Sequence, residues 1–186
     1  MSPEERRADL TDVTLRLLRV HGRDVTTRQI AEAAGIAEGT VFRAFASKDE
    51  LLDAAISRAF EPGDLVARIE EIDRSLPLRD RLVTLASILQ QRFRATFDLM
   101  QKMGLVRPPG HLHDSAAAAA WRSRLEGLLG GVVGDDADQL AVPLDRFIHV
   151  FRLLTFAGSH EHIADGRLLT PDEIVDTLLH GLQRKN

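Results

Sequence analysis

Residues 25–53, VTTRQIAEAAGIAEGTVFRAFASKDELLD, constrain the fold of this 186-residue chain more than any other stretch. Ile30, Ala31 and Ala34 recur at helical spacing and form the buried side of a short helix. That helix opens at Thr26-Thr27-Arg28-Gln29, where a threonine hydroxyl can cap the first turn and Gln29 can reach back to the cap. Ala31 and Ala34 are small, so a second helix can cross close by. Gly35 supplies the positive φ that ends the first helix in a tight turn. Ile36 plugs the space between the two helices, and Val41 and Phe45 anchor the second segment, Glu38 to Phe45, into the same core. Glu38, Gly39, Thr40, Phe42 and Arg43 then face away from it.

The same punctuation organises the rest of the chain into helices, with no alternating β-branched or aromatic run to indicate a strand. Ser2, Pro3 and Glu5 read as cap, first helical residue and capping box of a first helix, which carries Leu10, Val13, Leu17 and Val20 on one face and ends at Gly22. Ser47-Lys48-Asp49-Glu50 reads as another capping box, opening a helix through Leu51, Leu52, Ala55 and Ile56. Glu61-Pro62-Gly63 breaks it, which divides the chain into a domain over residues 1–60 and a second over residues 61–186. In the second, helices are expected from about Leu78 to Met103, from a cap at Asp114 to a stop at Gly130, Gly131 and Gly134, from about Pro143 to His160, and from the Thr170-Pro171-Asp172-Glu173 box to about Gln183. Residues 104–113, with Pro108-Pro109-Gly110, read as a loop. The fold class is therefore all-α: an N-terminal three-helix helix-turn-helix domain followed by a C-terminal helical domain.

Composition excludes some classes. With 44% hydrophobic and 28% charged residues the chain can bury a core and is not of the disordered type. No apolar run reaches the length of a membrane span, and the charged first residues lack the apolar core of a signal peptide, so a cytoplasmic protein without membrane association is expected. There are no cysteines, hence no disulfide or thiolate metal site. No phosphate-binding glycine loop, Gly-x-Ser-x-Gly or His-Glu-x-x-His motif is present, so no enzyme activity and no cofactor are expected. His111 with His113, and His160 with His162 beside Glu161 and Asp165, fall at loops or helix ends where polar residues are common; no metal is assigned to them. The net charge of −4 argues against nonspecific coating of nucleic acid. Residues 1–58 hold nine basic and ten acidic side chains, so a nucleic-acid surface would need its basic groups gathered on one face.

Residues 25–53 closely resemble the signature of the TetR family of bacterial regulators, with Thr27, Ile30, Ala31, Ala34, Gly35, Ile36, Gly39, Thr40, Val41, Phe42, Phe45, Lys48 and Leu51 in register. The resemblance covers about 30 residues directly and about 45 with the first helix. Two positions depart from it: Ala37 stands where the family commonly has a capping serine, and Phe42 where it commonly has tyrosine. The resemblance implies a sequence-specific transcription regulator, usually a repressor, whose second helix enters the major groove of double-stranded DNA. By position, Thr27, Thr40 and Lys48 would contact phosphates, Gly39 would let the strand approach, and Phe42 would present its ring without the phenolic hydrogen bond. Arg28 and Arg43 would read bases, most readily guanine, while Glu38 would accept from cytosine or favour the helix N-terminus. Arg6 and Arg7 would add phosphate contacts.

The resemblance also implies a homodimer built by the last two long helices, and hence a near-palindromic operator. Apolar stripes of Phe147, Phe151, Leu154, Ile174, Leu178 and Leu182, with Gly158 and Gly181 allowing a close crossing, are the expected interface. Phe93, Phe97, Met100, Met103 and Trp121, on the middle helices, are the expected lining of a pocket for an unidentified apolar or amphipathic small-molecule effector. The alternative is a helix-turn-helix regulator with no small-molecule sensor, controlled by a protein partner.

Overall fold

In a computed structural model of the chain, residues 2–181 are described, apart from the side chains of His111 and His113. Ten α-helices and two short 3-10 turns make up the regular structure of the described residues, and no strand occurs among them. They divide into two compact units, Met1–Glu61 with Thr96–Leu112, and Pro62–Ala95 with His113–Asn186.

The N-terminal unit contains α1 (Pro3–His21), α2 (Thr27–Ala34), α3 (Glu38–Ala44) and α4 (Lys48–Phe60). Helix α1 starts at the Ser2 capping box and packs along α4 and across α2. The core gathers Leu10, Leu18, Ile30, Val41, Phe45, Leu51, Ala55 and Ile56, all nearly or wholly removed from solvent. Burial of each large apolar side chain contributes about 2 kcal/mol. Leu99 and Met103 complete this core from a distant stretch of sequence, the end of a long helix running Leu78–Lys102 and the residue just after it. Periodicity placed that helix correctly but could not assign its last turns to the first unit, because period shows that a face is buried and not against what. The tip of the helix closes on the end of α1. Lys102 Nζ donates to the Arg19 carbonyl at 2.6 Å, and the Lys102 carbonyl passes beside Gly22.

The C-terminal unit contains α5 (Leu65–Glu70), the first part of α6 (Leu78–Lys102), α8 (Ala116–Val133), α9 (Leu144–Gly158) and α10 (Pro171–His180); the short α7 is Gly110–His113. Its core joins Ile69, Leu82, Leu85, Leu89, Leu129, Val132, Phe147, Phe151, Ile174 and Val175. Buried Arg81 donates to the Val132 carbonyl at 2.9 Å and pairs with Asp136, so a guanidinium from α6 satisfies the end of α8. Arg79 forks onto Asp172 and Asp176 of α10 at 2.7–2.9 Å, and its hydrogen bonds hold the Asp176 carboxyl below the usual carboxylate range. Among the described residues no helix is long and apolar enough to cross a membrane.

Several expected boundaries move. Ser115, not Asp114, caps α8, accepting from the Ala118 amide. Gly130 and Gly131 lie inside α8, and only Gly134 ends it, because α9 packs over that stretch and the Leu144 side chain approaches Gly130. Helix α10 stops at His180, with Gly181 at positive φ; the expected end at Gln183 lies outside the described residues. Helices α5 and α7, six and four residues long, were not legible as separate elements, since neither spans enough turns to show a period. Ser47 accepts from the Glu50 amide, but the Glu50 carboxylate turns to the Ala46 amide at 2.7 Å and to Arg7, so the expected box is only half formed.

Gly22 and Gly35 both stop helices with positive φ, in different surroundings. Gly35 lies in the left-handed region (φ 67°, ψ 34°) with open space around it. Gly22 (φ 57°, ψ −142°) lies near a region essentially reserved for glycine, and a Cβ there would fall 2.5 Å from the Lys102 carbonyl oxygen. Gly35→Ala is expected to cost about 1–2 kcal/mol. Gly22→Ala is expected to cost more than about 3 kcal/mol, since strain and a backbone clash act together. Chemical denaturation of the two variants checks the order.

Candidate nucleic-acid interface

Helices α2 and α3 form because local chemistry and a shared core agree. Thr26 accepts from the Gln29 amide at 3.2 Å, while Gln29 Oε1 accepts from the Thr26 amide at 2.8 Å. Ile30 and Ala31 are buried, Ala34 is half-buried, and the Gly35 amide returns to the carbonyls of Ala31 and Glu32. The Ile36 amide donates to the Ala31 carbonyl at 3.0 Å, and its side chain packs against the core at the crossing. Helix α3 spans seven residues and has no side-chain cap, because Ala37 offers no acceptor. Val41 and Phe45, 1% and 2% exposed, tie it down.

This geometry turns the outer side of α3 to solvent. Glu38, Gly39, Phe42 and Arg43 are exposed, Phe42 to half its area, and Thr40 is half-buried at the edge. A Cβ at Gly39 would meet nothing within 4 Å, so the surface there is open. Thr27 Oγ1 donates to the Glu38 carboxylate, which joins the start of α2 to the start of α3. Arg28 donates through Nε to Glu32 at 2.9 Å, and that hydrogen bond holds its guanidinium above the ordinary value. Arg43 makes no hydrogen bond or ion pair with the described residues. Lys48, at the first position of α4, has its Nζ 3.3 Å from the Arg23 carbonyl, which leaves further donors of the ammonium for an outside acceptor. The structure thus brings Thr27, Arg28, Glu38, Gly39, Thr40, Phe42, Arg43 and Lys48 onto two crossed helices and the start of α4.

Arg7 departs from its expected role. It donates to the Ala44 carbonyl and to Glu50 at 2.8 Å, and its guanidinium lies 4.0 Å from the Phe45 ring centroid. Both its Nη groups are therefore engaged within the protein, with the side chain still 44% exposed. Nothing in the sequence signals this, since Arg7 and Ala44 are 37 residues apart.

The residues expected at the other two sites are dispersed. Met103 is 1% exposed and packs in the core of the N-terminal unit, and Phe97 and Met100 belong to the same unit. Phe93 and Trp121 belong to the C-terminal unit, where Phe93 meets Phe156 edge-on at 5.3 Å. Open cavities among the described residues of that unit include one of about 540 Å³ bounded by Arg68, Ile72, Val83 and Ile88, and one of about 770 Å³ between α8 and α9. Neither is lined by the expected residues.

Phe147, Phe151, Gly158 and Ile174 of the expected interface stripe are buried within the single chain. Gly158 is a notch for the Leu169 side chain, which would lie 2.9 Å from an added Cβ. Leu154 and Leu178 are half-buried, Gly181 ends α10, and Leu182 lies outside the described residues. The apolar groups that α9 does expose are Leu153 and Phe156, at 55% and 40%. The rings of His160 and His162 are 6.0 Å apart, and among the described residues no group of three His, Asp or Glu side chains is placed to hold a metal. His111 and His113 lie outside the described side chains.

Two crossed short helices with an uncovered second helix have the geometry of a helix-turn-helix. Residues 10–55 match the family described as "Bacterial regulatory proteins, tetR family". It is 39% identical over 93 residues to the HTH-type transcriptional repressor KstR of Rhodococcus jostii (strain RHA1), a match covering 50% of this chain and 41% of that protein. The chain therefore spans less than half the length of that relative. A tetR-family transcriptional regulator from Streptomyces coelicolor superposes with a TM-score of 0.60 at 26% identity, over 97% of this chain and 79% of that one. Thermus thermophilus FadR, a TetR-family transcriptional repressor in complex with lauroyl-CoA, shares the fold, with a TM-score of 0.55 and 20% identity over 97% of both chains.

Ala37 already has the extended backbone of a cap residue (φ −71°, ψ 143°). Ala37→Ser is therefore expected to stabilise the protein by about 1 kcal/mol, seen as a raised thermal midpoint.

Proposed function

We propose that the chain is a sequence-specific repressor that binds a near-palindromic operator as a homodimer and is released by a small apolar or amphipathic ligand. The observation that carries the DNA-binding part is the outward face of α3, where Arg43, Phe42 and Gly39 stand exposed on a helix fixed from behind by Val41 and Phe45. Arg43 and Arg28 read base edges, and Thr27, Thr40 and Lys48 hold phosphates. Arg28 exchanges its exposed pairing with Glu32 for a base, which is cheap because an exposed pair is weakly held. Glu38 holds Thr27 until a phosphate or a cytosine amine competes. The relative KstR, a transcriptional repressor, supports this reading.

Selection of duplexes from a randomised pool by the purified chain tests this reading. The expected product is an inverted repeat with half-sites about one helical turn apart; a pool that stays random overturns it. Arg43→Ala is expected to cost about 1–3 kcal/mol on the selected duplex and to relax preference at one base pair.

For the dimer, the exposed side of α9 replaces the buried stripe. Leu153 and Phe156 lie three residues apart, on one helical face. Leu153→Asp is expected to give folded monomers, with helical circular dichroism kept and sedimentation velocity showing a single chain, since Leu153 is 55% exposed in the single chain.

The effector is proposed to bind the C-terminal unit near Phe93 and Trp121, with an apolar surface matched to the two rings. A solved structure of the same fold holds lauroyl-CoA, which supports a ligand of that general polarity. Release follows if the ligand prefers a form in which the two recognition helices are misaligned. A thermal-shift screen of acyl and aromatic compounds checks it; no compound raising the midpoint counts against the effector.

A further inference from the structure

Helix α3 is too weak to orient itself. It has seven residues, no side-chain cap at Ala37, and a run of Gly39, Thr40, Val41 and Phe42 with poor intrinsic helix propensity. Its last carbonyls have no partner within the helix. Arg7 of α1 meets that end in three ways. One Nη donates to the Ala44 carbonyl, the other to Glu50 Oε1 at 2.8 Å, and the guanidinium plane covers the Phe45 ring at 4.0 Å. Glu50 in turn accepts the Ala46 amide at 2.7 Å through its second oxygen. The Ala44–Ala46 backbone, where α3 gives way to the next turn, is thus held between a cation of α1 and an anion of α4.

We infer that Arg7 is a positioning residue for DNA recognition, which with Glu50 fixes the pitch of α3 against α1 and α4. The inference rests on the DNA-binding reading above. Phe45 needs its ring buried to anchor α3, and Arg7 closes the ring's exposed side. A planar fork can serve carbonyl, carboxylate and ring together; an ammonium cannot. The cation also lies at a helix C-terminus, where positive charge is favoured. Loss of this clamp leaves α3 formed but free to tilt. The cost appears in specific contacts, which need aligned side chains, and not in diffuse attraction to phosphates.

The full chain is titrated with a duplex enriched by the wild-type protein and with a shuffled duplex of equal length, at several salt concentrations. Arg7→Ala is expected to weaken the enriched duplex about ten-fold or more, to leave the shuffled duplex within about two-fold, and to keep the slope of log affinity on log salt. Arg7→Lys keeps the charge and loses the fork, so it is expected to bind like Arg7→Ala. Glu50→Gln is expected to weaken the enriched duplex in the same direction, and the double variant less than the two effects multiplied. Equal loss on both duplexes with a slope flattened by about 0.9, or full recovery by Arg7→Lys, would place Arg7 on a phosphate and overturn the inference. Unchanged affinity in both Arg7→Ala and Glu50→Gln overturns it too. If Arg7→Ala does not fold by circular dichroism, Arg7→Lys and Glu50→Gln carry the same comparison. A wild-type chain that enriches no duplex removes the DNA-binding reading itself, a result separate from any variant.

Discussion

A seven-residue helix in water does not persist by itself, because nucleating one turn costs more than so few hydrogen bonds return. Helix α3 exists through what it is attached to. Val41 and Phe45 sink into a core made by α1, α2 and α4. The tight turn at Gly35 sets the crossing, and Arg7 and Glu50 hold the far end. Because only the inner side of α3 is engaged, its outer side is left whole. The exposure of Phe42 and Arg43 and the rigidity of the helix beneath them are two consequences of one packing arrangement.

The outer surface is not a simple basic patch. Glu38 and Glu32 stand among the groups proposed to touch DNA and hold Thr27 and Arg28 in the free protein. Acidic partners of this kind lower the attraction to phosphates in general. They leave favourable binding to sites where both the base-edge and the phosphate contacts can replace them. That fits a chain with net charge −4 better than diffuse attraction would.

The C-terminal unit shows how one-dimensional pattern misleads. Phe147, Phe151 and Ile174 form a strong apolar stripe, and that stripe is satisfied inside the chain. The glycine at 158, read as room for a partner helix, is filled by Leu169 of the loop that follows. The apolar surface that α9 leaves exposed is the weaker pattern, Leu153 and Phe156. Aromatic and methionine residues clustered in the sequence of α6 are likewise shared between two cores, with Met103 spent on the N-terminal one.

The sequence by itself determined the all-helical class, most helix starts, and the turn between α2 and α3. These depend on hydroxyl caps, first-turn prolines, positive-φ glycines and a 3.6-residue period, all of which act within a few residues. It also marked the outward residues of α3, since Val41 and Phe45 fix which side is in. Only the tertiary structure decided which apolar stripe is spent inside the chain, that the end of α6 completes the first core, and that Arg7 grips Ala44 and Glu50. Those are contacts between residues far apart in the chain, and the spacing of residues along one helix carries no record of what the rest of the chain will bring against it.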